Sequence, residues 1–325
     1  MTILILTQEM DRHADGVVAE LARRGHRAIR FDYSTFPLQT TLEVISDGTS
    51  SWSGGIRLGE QSLDMREITS IWSRRPTLFR FPERMAPDER RFARNEARFA
   101  FGGVLRSLNC LWVNHPERQV SADYKPWQLH QARCCGFQTP QTLLTNDPDA
   151  VLRFYQQCQR RMIYKPLSSS AVASVASNTP AWIIYTTRVT DETLQKILPA
   201  IPYTACLFQE EIPKQLELRV TVIGTSVFAA EIHSQHSQRT EVDFRRAYED
   251  LHYGRHHLPE EIKHQCLTLV QKLGLAFAAL DILVTPNGQY VFLECNSAGQ
   301  YGWIEDETGL PLCNALVELL LAGKQ

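Results

Sequence analysis

Three oxygen-bearing side chains near the end of the chain, Asp281, Glu294 and Asn296, stand at a spacing that could hold a cation. Residues 280–296, LDILVTPNGQYVFLECN, read as two strands joined at Asn287-Gly288, a pair suited to a two-residue turn needing positive φ. With that turn, Asp281 falls opposite Glu294, and Asn296 follows on the same face. The other face carries Ile282, Val284, Val291 and Leu293, which suits a core. Two carboxylates at ~5 Å repel by roughly 3 kcal/mol at an effective dielectric of ~20, a cost removed by a cation between them. The set is all oxygen and suits Mg²⁺, which keeps waters and bridges phosphates. The triplet alone also fits the exposed polar face of an ordinary hairpin.

Upstream residues give such a cation something to bridge. Lys165 sits inside the apolar run MIYKP, where an ammonium is costly unless it meets an anion. Lys125 precedes it. Gln209, Glu210, Glu211 and Ile212 follow an apolar strand, and Glu217 and Arg219 alternate onto one side of the next. Taken singly, each also reads as a solvated residue. Arg74-Arg75 fits a structural ion-pair site or a substrate contact. His252, His256, His257 and His264 lack a partner carboxylate pattern, and no metal is expected there.

The elements that must position these residues form an α/β chain. A strand at residues 3–6, a helix with Val17, Val18 and Leu21, and a strand at 26–31 open a parallel sheet. No glycine-rich dinucleotide fingerprint separates them. A hairpin over 42–58 turns at Asp47-Gly48 or Gly54-Gly55; a strand 68–72, a long helix 88–108 and a strand 111–113 follow. The first domain spans 1–116. In the second, 117–202, a helix runs from Ser121 to Cys135, then a helix 148–159, the strand with Lys165, a small polar loop 168–178, a strand 182–189 and a short helix 191–198. The third, 203–325, alternates hairpins and helices and ends in a helix from Pro311 with Ala315, Leu316, Leu319 and Leu320 inward.

With 325 residues, 43% hydrophobic and 22% charged, the chain can bury a sizeable core. A net charge of −2 points to neither nucleic acid nor membrane as partner. The start, MTILILTQEM, reads as a first strand rather than a signal peptide, and no apolar window is long enough for a membrane span. The eight cysteines are dispersed without paired spacing, which fits reduced thiols in a cytoplasmic protein.

The order Lys125, Lys165, QEEIP at 209–213, Glu217, then Asp281 and ExN at 294–296 resembles the ATP-grasp carboxylate–amine ligases. WSRRP at 72–76, QEEIPKQLELRVTVIG at 209–224, VDFR at 242–245, the block 280–305 and TGLP at 308–311 are similar to the microviridin-type, or graspetide, peptide maturases. The likeness runs end to end and is weakest over 166–206. It implies an ATP-grasp fold behind an N-terminal parallel α/β (pre-ATP-grasp) domain. It further implies that Lys125 and Lys165 hold ATP phosphates, that Gln209 to Ile212 border adenine, Glu210 to Ile212 binding it through main-chain atoms, and that Glu217 takes the ribose. Asp281, Glu294 and Asn296 would hold Mg²⁺, Arg219 would face the γ-phosphate and an acyl phosphate, and either Arg219 or Arg245 would supply the positive charge there. The implied partner is a ribosomal precursor peptide, its leader docked near residues 170–200 and its core reaching the ATP cleft, with rings closed as esters or amides. The resemblance also suggests a homodimer. Two departures stand out: Ala279 replaces an arginine found before the metal Asp in some members, and Ser297 follows Asn296 where a proline is common. A ligase for free amino acids or a protein tail, and a nucleotide-dependent peptide-binding module, remain alternatives.

Overall fold

A computed structural model describes residues 1–46, 48, 52–168, 171–172 and 182–323. Most of the expected loop 168–178, and with it part of the expected leader surface, lies outside the described residues. Thr2–Thr7, wholly buried, is flanked in parallel by Arg27–Phe31 and Ile68–Arg75, and Leu111–Val113 adds the fourth strand. Between them Thr40–Ser46, Trp52–Leu58 and Gln61–Asp64 form a separate antiparallel sheet. Gly54-Gly55 is not a turn but strand interior. A Cβ at Gly54 would lie 2.2 Å from the Glu43 carbonyl oxygen and one at Gly55 2.0 Å from that of Leu63, so the neighbouring backbones admit only glycine.

The next sheet is antiparallel, in the order Thr187–Val189, Met162–Lys165, Cys206–Glu210, Thr142–Thr145. A boundary at 203 would cut it, because Cys206–Glu210 is an inner strand paired on both sides. The expected strand 182–189 is two, Trp182–Ile183 and Thr187–Val189, belonging to different sheets. The last sheet has five antiparallel strands, Tyr253–His256, Ser226–Ile232, Leu216–Ile223, Phe277–Val284 and Tyr290–Asn296. Its apolar face packs on the helices Lys125–Cys134 and Glu260–Lys272 through Leu129, Cys266, Leu269 and Val270. The final helix, Leu312–Ala322, buries Leu312, Leu316, Val317 and Leu320, with Ala315 and Leu319 half-buried against the same core. It joins Ile3, Ile5, Val17 and Trp72 in one core, so the end of the chain closes the first sheet. A short helix, Gly302–Thr308, escaped the sequence pattern.

The helix expected from Ser121 to Cys135 is broken into Pro116–Ala122 and Lys125–Cys134. Pro126 has no N–H to give the Ala122 carbonyl four residues back. The side chain of Gln128 donates to that carbonyl instead, at 2.5 Å. Its amide then pairs with both backbone groups of Cys295, donating to the oxygen at 2.8 Å and accepting from the nitrogen at 2.9 Å. Residues flanking Lys125 are thereby tied to the strand that carries Glu294. Gln128→Ala strands three buried backbone groups, and a stability loss of about 3 kcal/mol is expected in urea unfolding.

Arg74 has the structural role. Its guanidinium is 3.6 Å from Asp11, donates to the Ala298 carbonyl at 2.6 Å, and is buried with its partner. Burial opposes ionisation of Asp11, but hydrogen bonds from His13 and Thr7 and the charge of Arg74 outweigh it and hold the carboxyl well below the usual range. Asp11 also caps the first helix, receiving the N–H of His13 and Ala14. Asparagine caps equally well, so Asp11→Asn isolates the charge pair. A depressed carboxylate contributes stability above its unfolded pKa that is lost as pH falls. Asp11→Asn is therefore expected to cost about 3 kcal/mol at pH 7, with the gap to wild type closing below about pH 4 in unfolding titrations.

Candidate active site

The hairpin holding the three oxygen ligands is closed differently from the two-residue turn. Thr285 N donates to Gln289 O at 3.0 Å and Gly288 N to Thr285 O at 2.9 Å, with Gly288 at φ 79°, giving a three-residue loop. That loop moves the register by one, pairing Val284 with Tyr290 and Ile282 with Phe292. A bulge at Leu293 takes the extra residue back, and Asp281 still faces Glu294. The bulge also turns Leu293 out of the core, into the cleft, and Phe292 fills the core position instead.

On the other side Asp281 pairs across strands with Arg219, so Arg219, Asp281 and Glu294 form a row over three strands. Arg219 Nη1 lies 3.2 Å from Asp281 Oδ1. That contact is not aligned as a hydrogen bond, and among the described residues Nε and Nη1 of this buried guanidinium have no hydrogen-bond partner. Lys125 Nζ reaches Glu294 Oε2 at 2.8 Å. Lys165 lines the same cleft, and among the described residues its ammonium has no ion-pair partner. Burial lowers the Lys165 pKa against the pull of Glu294. Asp281 is pushed up to about 7 by burial, with Arg219 opposing and Glu294 adding. Burial acts on Glu294 too, yet Lys125 and Lys165 hold it well below the usual range.

Asn296 donates to Asp281 at 3.2 Å and to Glu294 at 3.3 Å, so the three side chains converge. Among the described residues no group of three or more His, Cys, Asp or Glu could hold a metal. Two carboxylates and an amide are enough for Mg²⁺, which retains waters and takes phosphate oxygens, and two buried carboxylates face to face call for a cation. The residues fit the ion.

These groups line one cleft of about 1390 Å³ between the last two sheets. Glu217 is buried there; its Oε1 accepts from Lys214 at 2.7 Å and from Ser234 at 2.8 Å. Glu210 is held by Gln141, and Glu211 by Arg188, which also reaches Glu241. The N–H groups of Glu210 and Glu211 are already given to the carbonyls of Gln141 and Arg161, so neither is a main-chain donor for adenine. Gln209 departs from expectation: it is buried in the central sheet, donates to Thr142 at 3.1 Å and does not line the cleft. Arg245 is bound through two nitrogens, at 2.8 and 2.6 Å, to Asp243, whose carboxyl is kept low against burial by that pair. Sequence reasoning missed Gln128, Lys214, Ser234 and Asp243. Only Asp243, inside VDFR, carried a signal. His256 does have a carboxylate partner: its Nδ1 is 2.7 Å from Glu231, and its Nε2 is 2.9 Å from the Tyr290 hydroxyl.

Residues 2–120 match the MvdD pre-ATP grasp domain, and residues 127–320 match the RimK-like ATP-grasp domain. The chain belongs to the ATP-grasp ligase family. Enzymes of this family use ATP with Mg²⁺, in accord with a cleft that Lys125, Lys165 and the carboxylates line together. Among solved structures, this ATP-grasp ligase is similar to macrocyclase MdnC bound with precursor peptide MdnA from Microcystis aeruginosa MRC, at 29% identity over 99% of both chains and a TM-score of 0.85. It is 27% identical to a Chryseobacterium gregarium RiPP-associated ATP-grasp ligase in complex with ADP and a leader and core peptide, over 99% of this chain and 96% of that one, with a TM-score of 0.89. Macrocyclase MdnB from Microcystis aeruginosa MRC is 31% identical over 98% and 99%, with a TM-score of 0.79. No curated protein matches the chain. Among the described residues no helix is long and apolar enough to cross a membrane.

Proposed function

We propose that this ATP-grasp ligase closes rings in a ribosomal precursor peptide, joining Asp or Glu side-chain carboxylates to Thr or Ser hydroxyls as esters, or to Lys amines as amides. The observation that carries the reading is the cationic ring of Lys125, Lys165, Arg219 and Arg245 around Asp281 and Glu294, in a chain similar from end to end to peptide macrocyclases. Lys125 and Lys165 hold nucleotide phosphates, the Ile212 N–H offers adenine its main-chain donor, and the free oxygen of Glu217 accepts from ribose. Asp281, Glu294 and Asn296 hold Mg²⁺, which would neutralise phosphate charge and orient the transferring group.

A substrate carboxylate oxygen attacks the γ-phosphorus and ADP leaves; the hydroxyl or amine then adds to the acyl carbon, loses its proton, and expels phosphate. The chain's contribution is position and charge. Arg219 and Arg245 face the transferred phosphoryl group, where a planar fork matches phosphate oxygens. The reading carries with it a leader-plus-core peptide, a homodimer and a cytoplasmic location, the last supported by eight cysteines dispersed without paired spacing. Incubation with Mg-ATP and the precursor peptide encoded beside the gene is expected to remove one water per ring by mass spectrometry, with ADP formed in step. AMP formation, or ATP consumption without ring closure, overturns it.

A further inference from the structure

A second cavity, of about 580 Å³, adjoins the nucleotide cleft and shares Asp123, Asn296, Ala298 and Gly299 with it. Of the residues given roles so far, Arg74 and Asn296 lie in its wall, and no role uses the rest. One wall is aromatic: Tyr33 stacks on Phe79 at 4.8 Å, and Phe79 meets Phe101 at 5.5 Å. Its rim carries Arg98 and Arg106, both exposed on the helix Pro87–Ser107. Arg106 folds back over that helix to donate to the Gly102 carbonyl at 3.0 Å, a position open only because residue 102 is glycine: a Cβ there would come within 2.7 Å of its Nη1. The acidic groups near the rim are few. Glu117 lies 3.3 Å from Arg106 in an exposed pair that a ligand carboxylate can displace, and Asp123, at the inner end, has its pKa raised by burial.

We propose that this cavity is the subsite for the acidic core segment of the peptide. Arg98 and Arg106 hold carboxylates that await or have finished reaction, and the buried rings of Phe79 and Phe101 make the floor beneath them rigid. The shared loop at Asn296–Gly299 then lies between the waiting segment and the phosphates. A guanidinium takes a carboxylate through two parallel hydrogen bonds, and a rim of arginines beside an aromatic wall suits an extended acidic peptide better than a neutral one. The proposal rests on the macrocyclase reading, so its test is binding without turnover.

The probe is a fluorescein-labelled synthetic peptide of alternating threonine and aspartate, its asparagine counterpart serving as control, titrated with the full chain and Mg-ADP at low salt. The aspartate peptide is expected to bind at least tenfold more tightly than the control, with a preference that fades as salt rises. The double variant Arg98→Glu/Arg106→Glu is expected to lose that preference, and Arg98→Gln/Arg106→Gln to lose part of it, with Mg-ADP affinity unchanged in both. Equal binding of the two peptides, no binding of the aspartate peptide, or an unaltered preference in the double variant overturns the subsite. Ring closure of a precursor with unchanged KM in the double variant overturns the subsite alone. Acid-dependent binding lost in that variant, without ring closure by the wild type, supports the subsite and removes the macrocyclase reading.

Discussion

Glu294→Gln is expected to lower ADP formation by about 10²–10³-fold at saturating Mg²⁺ and peptide while leaving the fold intact. Glu294 faces Asp281 across the ladder, receives Lys125 at 2.8 Å and is kept ionised by Lys125 and Lys165. Glutamine has nearly the same shape, so packing around Phe292 and Cys295 is kept. What is lost is the negative charge that gives a divalent cation a reason to sit between two strands. Stability changes little, because two effects oppose each other. Lys125 loses its partner but, being about one-fifth exposed, can reach water, and Asp281 is relieved of a like charge. Calorimetry should then show Mg-dependent nucleotide binding weakened with a melting temperature within a few degrees of wild type. Turnover within tenfold of wild type would remove Glu294 from the site.

The candidate site residues were legible because each sits where its type is locally out of place. A lysine in an apolar strand, a glutamate and arginine alternating on one strand face, and carboxylates at a cross-strand spacing all stand out against a core pattern. The supporting residues leave no such trace. Gln128 is an ordinary helix residue until Pro126 removes a donor from one end of its span and Cys295, far away in sequence, offers a bare backbone at the other. Lys214 and Ser234 meet Glu217 only because a loop and a strand end fold over it. The hairpin shows how a correct contact can come from an incorrect turn. The loop shifts the register by one and the bulge at Leu293 shifts it back, two events that alternation of apolar and polar residues does not separate. Likewise the strand Cys206–Glu210 reads as the start of the last module, because which sheet it joins is decided by long-range pairing with Thr142–Thr145 and Met162–Lys165.

Arg219→Ala is expected to reduce turnover by about 10²–10³-fold while changing Mg-ADP affinity less than tenfold. Arg219 is about one-tenth exposed, and among the described residues its Nε and Nη1 find no acceptor; unsatisfied buried donors cost about 1–3 kcal/mol each. Asp281 stands 3.2 Å away but out of line, and the Trp303 ring lies 6.0 Å from the guanidinium carbon, so the side chain has neighbours without having its hydrogen bonds met. A buried guanidinium with unmet donors is pre-aimed at an anion. In the proposed reading Lys125 and Lys165, on the Glu294 side of the row, hold the ADP phosphates, and Arg219, on the Asp281 side, faces the transferred phosphoryl group and the substrate carboxylate. Arg219→Lys should recover less than a tenth of the activity, since an ammonium keeps the charge but not the two-pronged geometry. Single-turnover kinetics alongside ADP calorimetry separates the roles: weakened ADP binding with normal turnover at saturation would make Arg219 a nucleotide-binding residue instead.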